Sequence, residues 1–241
     1  RRQRQMCIRD RFGLMGLDVI AASGAGSSVE DLKRSFSAEY NVILHPDYSI
    51  RTSEYYKEKH GIDAVTTGYA LVGFSQVEAI IREVSERTGR PCDGALAYLN
   101  RIRSRAYSRM VASDFRPDGR TFRIEADPSV AYPLVKWLFE DMRMVPVSVR
   151  LRDVEGSCGG DDLSRFLAGH GLEWTMWADP PDHVNYSFCD GNTAQMEEAA
   201  GFCDRGVDIM YPSKMNVDFR PSPVMGPSGC MYLLDRIVNK L

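Results

Sequence analysis

The segment from Tyr40 to Gly73 constrains the fold more than any other part of the chain. Asn41-Val42-Ile43-Leu44 reads as a buried strand and His45-Pro46-Asp47 as a turn; Ser49 to His60 follows as an amphipathic helix, with Gly61 as its stop and Ile62 opening a new strand. A short apolar run before a turn and a helix, repeated along a chain, is the pattern of parallel strands joined by crossover helices. Ligands in such folds sit beyond the carboxyl ends of the strands, so the turn at His45 lies where chemistry would be placed.

The same alternation runs through the rest of the sequence. Leu17 to Ile20 reads as a strand entering the loop Ser23 to Ser28, where Ser27 and Glu30 have the spacing of a capping box opening a helix to about Ala38. That loop is G-x-G-x-x-V and lacks the third glycine of a dinucleotide fingerprint, so it reads as a tight turn. Val77, Ile80, Ile81 and Val84 fall on one face of a helix that begins after Gly73. A longer helix from about Gly94 to Ala112 carries Leu96, Leu99, Ile102, Ala106 and Met110 on one side. Arg101, Arg103, Arg105 and Arg109 crowd the remainder, either as a solvated face or as a contact for an anionic ligand or partner.

Turn formers from Phe115 to Gly119 interrupt the chain before a second series. Thr121 to Ala126 reads as a strand, with a helix to about Met142 that Ser129 can cap. Pro146 to Leu151 is the next strand, Asp161 to Ala168 a helix and Trp174 to Trp177 a strand. A short helix from Thr193 to Gly201, a strand from Val207 to Met210 and a helix from Gly229 to Lys240 close the series. The expected fold is therefore α/β, with two open parallel-sheet units over residues 12–118 and 119–241.

Residues 1–11 stand apart from this pattern. Five arginines and Asp10 give them a net charge of +4 with no apolar period, and RRQRQMCIRDR resembles a translated sequencing-adapter scar at the end of a metagenomic contig. They are expected to be non-native and to pack against nothing, and the chain is accordingly expected to be a C-terminal fragment of a longer protein. The remainder carries 25 basic and 32 acidic residues, a net of −7, which argues against nucleic acid as a partner. No apolar run reaches the roughly 20 residues of a membrane helix. Cys92, Cys158, Cys189, Cys203 and Cys230 are scattered and form no CxxC pair, so reduced cytoplasmic thiols are expected rather than disulfides or a zinc site.

No triad motif, Walker loop, HExxH or paired-carboxylate signature appears in the sequence. The residues placed to touch a ligand are His45, Asp47 and Tyr69 near strand ends, Cys158 within Gly156-Ser157-Cys158-Gly159-Gly160, and Ser228 at the start of the last helix. Glycines let backbone approach a ligand closely, and helix starts favour negative groups. Each of these residues also has a plain structural reading as a cap, a surface residue or a buried thiol.

In order and spacing the segments resemble the second and third Rossmann-like subdomains of nitrogenase component 1-type oxidoreductases. The likeness rests on Tyr40 to Leu44, on Tyr55 to Ile62 (similar to the family's "EEKYGIP" element), and on Gly73 before its helix. It continues through the G-x-x-F-x-x-x-x-D stretch from Gly119 to Asp127, Leu138 to Pro146, and Met225 to Gly229. It implies a heteromeric iron–sulfur reductase subunit paired with a paralogous subunit and fed by an ATP-dependent iron–sulfur reductase. The substrate classes implied are dinitrogen, a tetrapyrrole or an organosulfur compound. The family's relay-cluster cysteines lie in a subdomain upstream, so the cluster is expected in the full-length complex and not in this fragment. His45 occupies the place where nitrogenase itself has a cofactor cysteine, and Arg220 to Val224 holds none of the expected cofactor histidine. Both departures argue against dinitrogen. A non-catalytic scaffold for cofactor assembly and a two-lobed small-molecule binding module remain open alternatives.

Overall fold

The computed structural model describes residues 10–23, 26–113, 115–152, 157, 159–210, 213 and 222–239. The first unit is built on two parallel strands, β1 (Tyr40–Val42) and β2 (Asp63–Val65), with Tyr40 opposite Asp63. The Ile43 amide extends this ladder by donating to Val65 O at 2.9 Å. Helix α1 (Val29–Arg34) precedes β1, and α2 (Pro46–His60) crosses from β1 to β2. Pro46 takes the first helical position, where a missing N–H costs nothing, and Gly61 ends the helix at φ 68°. Helices α3 (Phe74–Thr88) and α4 (Asp93–Ala112) follow, and Val77, Ile80, Ile81 and Val84 are all buried as their spacing predicts.

The second unit is a four-stranded parallel sheet. Its strands are β3 (Thr121–Ala126), β4 (Val145–Leu151), β5 (Val184–Asp190) and β6 (Cys203–Met210), in the spatial order β4-β3-β5-β6. Helices α5 (Pro128–Glu140), α6 (Gly160–Gly169) and α7 (Gly191–Ala200) make the crossovers, and α8 (Gly226–Val238) ends the described chain. A closing turn of chain joins the units: Gly226 donates to Leu71 O at 2.8 Å, and α8 lays Cys230, Leu233, Leu234 and Ile237 into the core against α3 and α4. One continuous apolar cluster runs from Phe74 and Ile81 to Phe122 and Phe188.

Four expectations are corrected. Leu17 to Ile20 pairs with no strand among the described residues; Leu17 and Val19 only pack against the core. The capping box is Ser28 with Asp31, not Ser27 with Glu30: Ser28 Oγ accepts from the Asp31 amide at 3.1 Å and Asp31 Oδ2 from the Ser28 amide at 3.0 Å. Ser27 is taken up by the preceding loop, accepting from the Ala22 amide at 2.8 Å. Trp174 to Trp177 is a 3₁₀ turn (Glu173–Met176) with Trp174 52% and Trp177 71% exposed, and the strand of this region is β5. Finally, Arg11 does not lie free: it is 6% exposed, with its guanidinium 3.5 Å from the centroid of the Tyr98 ring.

Candidate functional site

Parallel strands put all their carboxyl ends on one side, and here the ends of the two sheets are stitched together. Tyr48, in the first turn of α2, donates its hydroxyl to Asp127 Oδ2 at 2.8 Å, just past β3. Asp47 Oδ2 accepts from the Ser129 hydroxyl at 2.6 Å and the Ser129 amide at 3.2 Å, while its Oδ1 accepts from Ser157 at 2.7 Å. Ser129 is therefore not a cap for its own helix; the Asp127 position caps it, and the fully buried Ser129 side chain serves Asp47.

Pro133 strengthens this seam. Lacking an N–H, it leaves the carbonyl four residues earlier without its helical donor. That carbonyl, Ser129 O, accepts instead from the Ala70 amide at 3.0 Å.

Gly159 lies at the same place. Its φ of 104° excludes most side chains, and an added Cβ would lie 2.7 Å from Pro128 O and 3.5 Å from the Tyr69 ring. Tyr69 donates its hydroxyl to Asp162, on the first turn of α6, and its ring lies 4.9 Å from that of Tyr132. Burial and the Asp162 bond hold the Tyr69 phenol far above its usual range. The Tyr48 phenol is pushed up to about 12 by burial of its hydroxyl end and by Asp127. Both phenols are thus fixed as neutral donors.

His45 sits at the centre of this arrangement, at the N-cap position of α2 with its ring 4.7 Å from that of Tyr48. Its Nδ1 is buried with no hydrogen-bond partner among the described residues. Burial lowers its pKa, against the opposing pull of Asp47 and Asp127, which leaves a neutral imidazole at neutral pH. A neutral imidazole nitrogen without a partner can accept from, donate to or ligate a bound group; the surrounding carboxylates are committed to serine and tyrosine donors.

The structure therefore gathers His45, Asp47 and Tyr69. Cys158 lies outside the described residues, though its neighbours Ser157 and Gly159 belong to the gathering. Ser228 starts α8 two residues after Gly226, which is tied through Leu71 to the end of β1, because the Leu71 amide donates to Leu44 O at 3.3 Å. Tyr48, Asp127 and Asp162 were not expected. The signal for Asp127 was available, a carboxylate directly after a strand, whereas Tyr48 fell between the turn His45-Pro46-Asp47 and a helix expected to begin at Ser49; the helix in fact begins at Pro46.

At the ends of β5 and β6, Asp190 caps α7 and accepts from Arg152 at 3.2 Å. Burial alone would raise the Asp190 carboxyl, but bonds from Thr193, Asn192 and Arg152 hold it below its usual value.

The described cysteines do not fit an iron–sulfur cluster. Cys189 and Cys203 lie on neighbouring strands, yet Cys203 stands opposite Val184 and Cys189 opposite Asp208, about 16 Å of strand apart. Cys230 is in α8 and Cys92 at the start of α4. Burial pushes the thiols of Cys189, Cys203 and Cys230 up to about 12, the reverse of what a thiolate ligand needs. Among the described residues, no three His, Cys, Asp or Glu side chains converge as a metal site.

Two parallel sheets joined at their strand ends, with helical crossovers, define an α/β class of protein. A family model described as "Nitrogenase component 1 type Oxidoreductase" matches residues 7–180, most of the chain, and the protein belongs to that family. It is similar to one component of the light-independent protochlorophyllide reductase of Halorhodospira halophila, 32% identical over 45% of this chain and 20% of that one. It is also similar to the nitrogenase iron-iron protein beta chain of Rhodobacter capsulatus, 22% identical over 91% of this chain and 49% of the other. A solved structure, "Nitrogenase Cp1 at pH 6.5", shares the fold with a TM-score of 0.74 at 17% identity, over 95% of this chain and 55% of that one. The chain thus spans from a fifth to about half of these proteins. No helix among the described residues is long and apolar enough to cross a membrane.

Proposed function

We propose that this chain is the ligand-facing part of a nitrogenase-like reductase subunit. In its full-length complex the subunit pairs with a paralogous one, takes electrons from an ATP-dependent iron–sulfur reductase, and reduces a small molecule or a tetrapyrrole. The observation that carries this reading is the unpartnered, buried Nδ1 of His45 at the seam where Asp47 and Tyr48 join the strand ends of both sheets. In this reading residues 12–118 and 119–241 are the two units that wall the cleft.

His45, Asp47, Tyr69, the Cys158 loop and Ser228 would face the bound group. The cluster implied by the family belongs to the complex rather than to the described cysteines. What these residues do is bind and orient: Asp47 and Asp127 hold the seam closed through neutral donors, and His45 offers one free nitrogen. A tetrapyrrole suits the resemblance to a protochlorophyllide reductase. Dinitrogen suits it less, since a histidine stands at the position where the resemblance implies a cofactor cysteine.

The test is reconstitution of the full-length subunit with its paralogue and the ATP-dependent reductase, with protochlorophyllide and dinitrogen as separate substrates. ATP-dependent loss of the protochlorophyllide absorbance is expected. Iron uptake without turnover of either substrate would favour an assembly scaffold, and a colourless monomer would favour a simple binding module.

A further inference from the structure

The arginine-rich face of α4 plays no part in the strand-end site. Between α4 and α8 lies a groove of about 250 Å³ floored by Ile102, Ala106 and Met231 and flanked by Arg105 and Arg109. Both arginines are exposed, and neither guanidinium has a hydrogen bond or ion pair with any described residue. The other two arginines of the face differ: Arg101 lies over the Tyr98 ring at 5.5 Å, and Arg103 acts on the Tyr107 phenol. Two free guanidiniums beside an apolar floor, on a chain whose formal net charge is −3, form a local patch of opposite sign to the whole.

We infer that this groove is a docking site for an acidic amphipathic helix of a protein partner. Three features select that occupant. The volume lies below the ~300–1,000 Å³ usual for small-molecule sites and suits one or two apolar side chains. Ile102 and Ala106 are one turn apart on α4, as are Arg105 and Arg109, so the apolar and cationic positions both repeat at about 6 Å. A partner helix with apolar residues and glutamates at four-residue spacing repeats its own anchors at that interval, so both sets engage at once. The charge complement fixes the partner's sign, because planar guanidiniums match carboxylates in a bidentate geometry.

The test uses the whole chain and a labelled helical peptide about five turns long. Leucines form one stripe of the peptide, with glutamates flanking it at four-residue spacing; a control replaces each glutamate by lysine. The glutamate peptide should bind with a change in anisotropy. Its affinity should fall at least about tenfold in the Arg105→Glu/Arg109→Glu variant and at ~1 M NaCl, where screening acts within about 3 Å. Both arginines are exposed, so the variant should keep the parent Tm; Arg105→Gln/Arg109→Gln should lose less affinity and serves if the double glutamate fails to fold. Equal binding of the lysine peptide, no binding of the glutamate peptide, or unchanged binding by either variant would overturn the inference. So would a dimer of the chain alone that the variant dissociates, which would make the occupant a second copy.

Discussion

At the scale of single residues, His45 and Asp47 are the groups on which the seam depends. Burial places the His45 pKa below the ordinary 6.5. Below pH 6.5 the unfolded chain therefore binds a proton before the native one does, and stability falls with pH until the native pKa is reached. NMR titration should find His45 titrating below 6.5, and His45→Asn should flatten that part of the Tm–pH curve; a titration at or above 6.5 would contradict the burial. Asp47→Ala removes three accepted bonds and leaves the buried Ser129 hydroxyl and amide unpaired, a cost of about 1–3 kcal/mol in urea unfolding. Asp47→Asn, which keeps acceptor oxygen, should lose less. His45 and Asp47 were legible because a turn directly after a strand is visible in sequence. Their partners were not, since Ser129 and Ser157 are 82 and 110 residues away.

At the scale of elements, legibility followed how local the causes were. The strand Thr121 to Ala126 alternates strictly and forms as expected, as does the α3 face. Strand β5 was missed even though Val184, Tyr186 and Phe188 alternate with Asn185 and Ser187. The sheet satisfies both from elsewhere: Asn185 Oδ1 accepts from the Thr121 amide at 2.9 Å, and Ser187 donates to Glu197, itself paired with Arg123. Trp174 and Trp177 misled in the opposite direction, being strand formers that nothing buries. The same close fits predict substitution effects. Gly206→Ala would place a methyl 2.1 Å from Ala194 O, backbone of α7, and should cost about 3 kcal/mol or more by denaturant unfolding. Gly159→Ala adds strain at φ 104° to a clash with Pro128 O and should also destabilise. Arg143, at φ 55°, is the reverse case: Arg143→Gly should leave Tm unchanged or raise it.

At the scale of the molecule, two sheets meet at their strand ends and α8 ties the second unit back to the first. The general plan was legible because β-α alternation is a repeated local signal; the seam was not, because it is made of polar side chains from distant positions. The central claim is that the seam around His45 is the ligand wall of a nitrogenase-like reductase. Its most direct measurement is ATP-dependent protochlorophyllide reduction by the reconstituted full-length complex, comparing the parent with His45→Ala at matched iron content and matched Tm. The account predicts reduction by the parent and a loss of at least about tenfold, or roughly 1.4 kcal/mol of transition-state stabilisation, in the variant. Full activity in a His45→Ala complex with parental iron content and Tm would contradict it.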